Sequence, residues 1–168
     1  MSKPGVFNFL ARRLGKHEEF DGFYAEDGLL FPARKDLFRD DPYRLMRLFQ
    51  HAQQRPLNLA PELVQLIRRK ISVVTRTFQY ARAARETFEA ILSRKGQVGR
   101  ILRMMHEVDF LGRYLPEFGE LTCLVQHEFF HRYTADEHTL VCIEKLDSLI
   151  DTEDEKLRGY RKLFQQLE

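Results

Sequence analysis

Apolar residues in this chain recur mostly at the three-and-four spacing of an amphipathic helix, and the clearest departure lies near the N-terminus. Phe23, Tyr24, Leu29, Leu30 and Phe31 cluster around Asp27-Gly28, a dipeptide that tolerates the positive φ of a tight turn. The segment from Gly22 to Phe31 is therefore predicted to be a β-hairpin, the one β element the pattern supports. Upstream, Phe7, Leu10 and Leu14 keep helical spacing between Pro4-Gly5 and Gly15, which allows a short helix within the first 18 residues.

After Pro32 the chain turns helical. Asp41 can cap, Pro42 suits a first helical position, and Leu45, Leu48, Phe49 and Ala52 recur at i, i+3, i+4 and i+7 until Pro56. Pro61 opens a second helix with a buried stripe of Leu63, Leu66, Ile67, Ile71, Val74 and Phe78, and with Arg68, Arg69 and Arg76 turned outward. Ala84, Phe88, Ile91 and Leu92 mark a third helix that stops near Gly96. Ile101, Leu102 and Met105 mark a fourth that ends near Val108-Asp109, and short helices follow through Leu111, Tyr114 and Phe118. Thr134-Ala135-Asp136-Glu137 has the form of a capping box, so a helix should run from Ala135 to about Ile150. Thr152-Glu153-Asp154-Glu155 repeats the device and starts a last helix with Leu157, Tyr160, Phe164 and Leu167 on one face. The predicted fold class is mainly α, a multi-helix bundle with a short N-terminal β-hairpin.

Composition narrows the function classes. The 168 residues are 43% hydrophobic, enough for a real core, and 27 basic against 25 acidic residues leave a net charge of +2, too weak a field to imply nucleic acid. The Arg68, Arg69, Arg76 face reads as solvated surface; a nucleic-acid or regulatory-protein binding module is the alternative, but interleaved exposed aromatics are missing. Cys123 and Cys142 form no disulfide framework or zinc knuckle and read as small buried apolar residues. Arg12 and Arg13 interrupt the apolar cluster Val6 to Leu10, and no run reaches membrane-spanning length, so the expectation is a cytoplasmic protein with no membrane partner.

The sharpest chemical pattern is His127-Glu128-Phe129-Phe130-His131, an H-E-x-x-H match in which His127 and His131 would bind zinc and Glu128 would act as base. A catalytic zinc also needs a third ligand. The extended motif asks for Gly at 134 and His at 137, where the chain has Thr134 and Glu137, with His138 one residue late; Glu144 or Asp147 could serve instead. The capping box just beyond His131 breaks the helix layout this chemistry prefers, so a zinc-dependent hydrolase stands as the alternative reading. Asp136 and Glu137 are explained by the cap and the helix dipole. Gly96 and Gly99 make no phosphate loop, His17, His51 and His106 have no evident partners, and no Ser or Cys sits in a nucleophile motif. No catalytic or cofactor-binding residue is assigned within the chain.

Several blocks together resemble a known family. Phe88-Glu89-Ala90-Ile91-Leu92, Leu102-Arg103-Met104-Met105-His106, Leu111-Gly112-Arg113-Tyr114-Leu115-Pro116-Glu117-Phe118-Gly119 and Gln126 to Leu140 are similar to the bifunctional PII-protein uridylyltransferase/uridylyl-removing enzymes. Asp21-Gly22-Phe23 to Leu30 and Asp41-Pro42 to Gln50 are similar to the hairpin and helix that follow the transferase core there. The likeness covers about residues 20 to 150.

The resemblance implies a parent enzyme that uses UTP and a divalent metal, Mg or Mn, to uridylylate the PII nitrogen-regulatory protein, and an HD-type phosphohydrolase activity that removes the group. The nucleotidyltransferase loop with its paired aspartates and the ligand-sensing ACT domains have no counterpart in this sequence. His138 falls where the resemblance places the first HD metal ligand, but no His here is followed by Asp, so that site is incomplete. Glu128, Asp109 and Ala135 stand where the family tends to have Asp, Gly and Val. The implied organisation is an N-terminal segment (1–20), a hairpin plus helical connector (21–133) and the first helices of a truncated HD-type domain (134–168). Partners would be the remaining domains of the parent, PII through the parent, and a second copy through the C-terminal helices. Leu140, Ile143, Leu146, Ile150, Leu163, Phe164 and Leu167 form stripes expected to fold back on the bundle or pair with another chain.

Overall fold

The computed structural model describes residues 18–122 and 134–166. Its N-terminal part is a four-stranded sheet in the order β1 (Glu19–Phe20), β2 (Phe23–Glu26), β3 (Leu29–Pro32) and β4 (Asn58–Leu59), with the first two pairings antiparallel and the last parallel. The hairpin expected at Asp27-Gly28 is present, with φ of 48° and 75° at the two turn residues. A second turn of the same kind occurs at Asp21-Gly22, where φ is 52° and 85°. That turn and β4 were not legible as β structure because their strands are two residues long, too short for alternation to show. Phe23, Ala25 and Leu30 share the inner face, with Phe23 and Leu30 fully buried, whereas Tyr24 and Phe31 pair on the opposite face.

Among the described residues the rest is helical: α1 (Leu37–Asp40), α2 (Arg44–Gln54), α3 (Pro61–Lys70), α4 (Arg76–Tyr80), α5 (Arg82–Leu92), α6 (Val98–Glu107), α7 (Phe110–Tyr114), α8 (Pro116–Gly119), α9 (Ala135–Asp147) and α10 (Arg158–Gln166). The fold class expected from the pattern is the one observed. Helix α2 begins two residues later than Pro42, because Asp41 Oδ1 takes the Tyr43 amide at 3.0 Å and forms a turn before the helix proper. The single stripe from Leu63 to Phe78 is three pieces. Helix α3 gives way to a 3-10 turn at Ile71–Val73, and Thr75 then caps α4 by accepting the Phe78 amide at 3.4 Å. The β-branched run Ile71, Val73, Val74, Thr75 lowers helix propensity where the break falls. Leu63, Leu66, Ile67, Val74 and Phe78 are nevertheless buried as the stripe required.

An aromatic cluster fills the centre. Phe49 and Phe110 lie 4.9 Å apart, Phe110 stacks on Tyr114 at 5.9 Å, and Phe88 meets Tyr114 at 5.1 Å. Gln53, buried with them, donates to the Ile91 carbonyl at 3.0 Å and ties α2 to α5. Asp109 joins α6 to α7 in the left-handed region, at φ 62°, which Asp tolerates better than most side chains.

The C-terminal stripes behave unequally. Helix α9 folds back on α6, with Leu140 fully buried and Ile143 against the core, while Leu146 is 50% exposed. Helix α10 buries none of its residues, and Tyr160 and Leu163 are each 63% exposed. Leu167 lies outside the described residues. No helix among those described is long and apolar enough to cross a membrane.

Candidate functional site

Helix α6 is the hub that connects the hairpin end to α9. On one side Arg100 donates to the Ala52 carbonyl in the last turn of α2 at 2.9 Å and to the Leu57 carbonyl just beyond that helix at 3.1 Å; burial pushes its pKa down. On the other side a ladder of polar contacts runs down the antiparallel pair α6 and α9. The first turn of α6 has no cap of its own, since the side chain of Gln97 makes no cap bond. Asp147, 8% exposed, supplies it: Oδ1 accepts from the Gly96 amide at 2.9 Å and Oδ2 from the Gly99 amide at 2.6 Å. Gly99 also sets the approach of the two helices, because a Cβ there would lie 2.8 Å from the Glu144 Cα.

One turn on, Arg103 grips both oxygens of Glu144, through Nε to Oε1 and through Nη2 to Oε2 at 3.0 Å, and its Nη1 reaches Glu137 Oε2 at 2.9 Å. These bonds hold the guanidinium well above its ordinary range. At the far end His106 Nε2 lies 3.3 Å from Asp136 Oδ2, and the Phe118 ring packs edge-on against the imidazole at 5.6 Å. Burial pushes the Asp136 carboxyl up. The Thr134 hydroxyl, the amides of Glu137 and Asp136, and His106 outweigh it, so the group ends below its ordinary value.

These contacts correct several expectations. The helix starts at Ala135 as predicted, but not through a capping box: the Thr134 side chain makes no cap bond and Glu137 turns to Arg103 instead of back to the cap. Asp136 and Glu137 are cross-helix partners as well as first-turn acids. His106 has a partner in Asp136, and His51 has one in Asp21 at 3.0 Å. Cys142, expected to be buried, is exposed, because α9 packs through Asp136, Leu140, Ile143 and Asp147 and leaves its other side open. At Thr152 the repeated device is displaced, with Asp154 accepting the Lys156 amide at 2.9 Å. One signal for Asp147 was available: a helix N-terminus with Gly96 and Gly99 and no capping side chain needs an acceptor from elsewhere.

His138 stands on the open side of α9, exposed, and its Nε2 lies 3.7 Å from Cys142 Sγ. No group of three or more His, Cys, Asp or Glu that could hold a metal is found among the described residues, so His138 does not by itself fit a metal site there. His127, Glu128, His131, His17 and Cys123 lie outside the described residues. The outward arginines are partly engaged by the chain itself: Arg68 donates to the Glu107 carbonyl at 2.8 Å, Arg69 to the Gln65 carbonyl at 3.2 Å, and Arg76 lies over the Tyr80 ring.

At the other end of the molecule, Asp21 gathers three bases from α2. Arg47 binds both its oxygens at 2.7 Å, Arg44 reaches Oδ1 at 3.2 Å, and His51 reaches Oδ2. Burial pushes the Asp21 carboxyl up, but Arg47, His51 and Arg44 hold it far below the ordinary carboxylate range.

Comparison with known proteins places this architecture. Residues 23–114, more than half of the chain, match the family model described as "Uridylyltransferase GlnD third domain". Two relatives, each described as "Bifunctional uridylyltransferase/uridylyl-removing enzyme", from Caulobacter vibrioides strains NA1000 / CB15N and ATCC 19089 / CIP 103742 / CB 15, are 35% identical over 138 residues. That alignment covers 81% of this chain and 15% of each relative, so the chain spans a small part of their length. Matched from β2 to the end of α7, and with an alignment that takes in most of its length, the chain belongs to the uridylyltransferase GlnD family.

Proposed function

We propose that the chain is the helical connector of a bifunctional PII uridylyltransferase/uridylyl-removing enzyme and carries no complete active site of its own. In this reading residues 21–133 form the connector and 134–168 the opening helices of an HD-type domain, with 1–20 leading in. Uridylyl transfer from UTP to PII, and the divalent metal it uses, belong to other parts of the parent enzyme. His138 is the first metal ligand of the uridylyl-removing site and is completed by groups from elsewhere in that enzyme. Cytoplasmic location follows from the same reading.

The observation that carries the proposal is the joint between α6 and α9. Helix α6 lies within the segment matched by the family model and α9 lies beyond it. The two are locked by Asp147 on the Gly96 and Gly99 amides and by the backbone contact at Gly99. A spacer that must fix the separation of two catalytic centres needs such a joint, since small displacements at a reacting centre are costly in rate. His138 is held by this rigid pair while its own side chain faces outward. The exposed Leu146, Tyr160 and Leu163 offer apolar surface to the remaining domains or to a second copy.

A chimera tests the proposal: this chain replaces the aligned segment of the Caulobacter vibrioides enzyme, and transfer to and removal from PII are assayed separately. The chimera should retain both activities, and His138→Ala within it should lose removal by at least a hundredfold while transfer persists. Removal unaffected by His138→Ala, or a folded chimera inactive in both directions, would refute the assignment.

A further inference from the structure

The outer face of the sheet carries a feature that the connector reading does not use. Tyr24 and Phe31 stand opposite each other across β2 and β3, on the face away from the core, with ring centroids 5.2 Å apart and planes within 9°. With Leu66 of α3, which is buried, they wall a cleft of about 390 Å³ between the sheet and that helix. The volume lies within the roughly 300–1,000 Å³ usual for small-molecule sites.

The rim is cationic. Arg34 and Lys35 approach from the loop after β3 and Arg69 from the last turn of α3, against a single carboxylate, Glu62. Arg34 is shared with Asp36 and Asp40. Among the described residues Lys35 pairs with no carboxylate, and Arg69, which lines the cleft, donates its Nε to the Gln65 carbonyl and pairs with no carboxylate. A stacked aromatic pair beside a cluster of cations selects a ligand with both matching parts. Stacking on a protein ring contributes a factor of roughly five to a hundred per base, and guanidinium or ammonium donors supply the charge-assisted bonds that an anionic oxygen takes. A folded protein partner fits less well, since stable interfaces bury upward of about 1,200 Å² and this cleft is lined by ten residues.

We propose that this cleft between the hairpin and α3 is a binding site for a planar aromatic ring carrying a phosphate, in the manner of a nucleoside monophosphate. Calorimetric titration of the full chain with adenosine 5′-monophosphate, cytidine 5′-monophosphate, adenosine and inorganic phosphate tests it. Both nucleotides should bind saturably, and adenosine and phosphate alone should each bind at least about fivefold more weakly. Lys35→Glu with Arg69→Glu, two exposed positions, should bring the affinity for adenosine 5′-monophosphate down to that of adenosine. Phe31→Leu keeps apolar bulk in the sheet and should weaken both nucleotides about fivefold, with circular dichroism confirming the fold of each variant. Absence of binding at millimolar nucleotide, phosphate alone binding as tightly as the nucleotides, or a charge-reversed chain binding them unchanged would each overturn the site.

Discussion

The hairpin end and the α9 end of this molecule are both fastened to their neighbouring helices by an aspartate, and the two fastenings are physically opposite. Asp21 holds the first turn to α2 through the side chains of Arg44, Arg47 and His51. Asp147 holds α9 to α6 through backbone amides, over a glycine that lets the two backbones touch. The first is an ionic cluster, half-open to solvent, whose strength follows the protonation of its members. The second is steric and depends on there being no atom where a Cβ would sit. The connector role proposed above calls for both kinds of attachment: its core end could tolerate adjustment, but the joint that sets the direction of the next helix could not.

The sharpest way to break the comparison is at Gly99. Helix propensity alone says that replacing a helical glycine gains up to about 1 kcal/mol. The contact says otherwise, because a new Cβ would meet the Glu144 Cγ at 2.7 Å and its Cα and N at 2.8 and 2.9 Å. Gly99→Val should therefore cost about 3 kcal/mol, the upper end for overpacking, since the obstacle is backbone and has little room to yield. Thermal unfolding should fall by roughly 6–12 °C for a chain of this size. A neutral Gly99→Val would mean that the helices do not approach as closely as described, and the rigid joint would go with it.

At the other fastening Asp21→Asn is the informative change, because Asn also accepts the positive φ of this position, while it removes the charge and turns one acceptor oxygen into a donor. It leaves Arg44 and Arg47 without their shared carboxylate and should cost about 2–3 kcal/mol at neutral pH, the range for hydrogen bonds to charged groups. The sign with pH follows from the direction of the shift. The folded-state pKa lies below the ordinary 3.8, so the stabilisation is fully present above that value and is lost as pH falls through it toward the folded-state value. Stability of the unsubstituted chain to urea should fall below about pH 4. The same titration of Asp21→Asn should be flatter there; an equal acid slope in both would show that the cluster contributes nothing.

Much of this was legible in the sequence wherever the signal is local. The helix faces and the Asp27-Gly28 hairpin follow from spacing and turn chemistry, and α9 starts at Ala135 where the capping-box pattern put it although the box itself does not form. The break after Lys70 was legible only in the β-branched run that follows it, which a count of stripe positions overlooks. The fastenings were not legible, because Asp21 lies 26 positions from Arg47, and Asp147 lies 51 from Gly96 and 48 from Gly99. No periodicity reports such pairs. Asp136 and Glu137 show the converse: a local motif offered them a sufficient role in a cap, and the fold turns them to His106 and Arg103 instead. His138 was singled out by the resemblance alone, since an exposed histidine in a first turn has no distinguishing pattern.

That position yields the smallest expected effect on stability, and the smallness is the point. His138 is exposed, and its described side-chain contact is a 3.7 Å approach to Cys142 one turn along the helix. Removing it should change folding free energy by no more than about 0.5 kcal/mol, the usual range for surface substitutions, which is 1–2 °C in thermal unfolding. Asp136 sits two residues away in the same turn, but it is buried against His106, so Asp136→Ala should cost clearly more by leaving a partly buried imidazole without its acceptor. The pair of measurements separates a side chain kept for the fold from one free to serve chemistry. If His138→Ala destabilised the chain as much as Asp136→Ala, His138 would be part of the packing, and its assignment as a metal ligand would lose its footing.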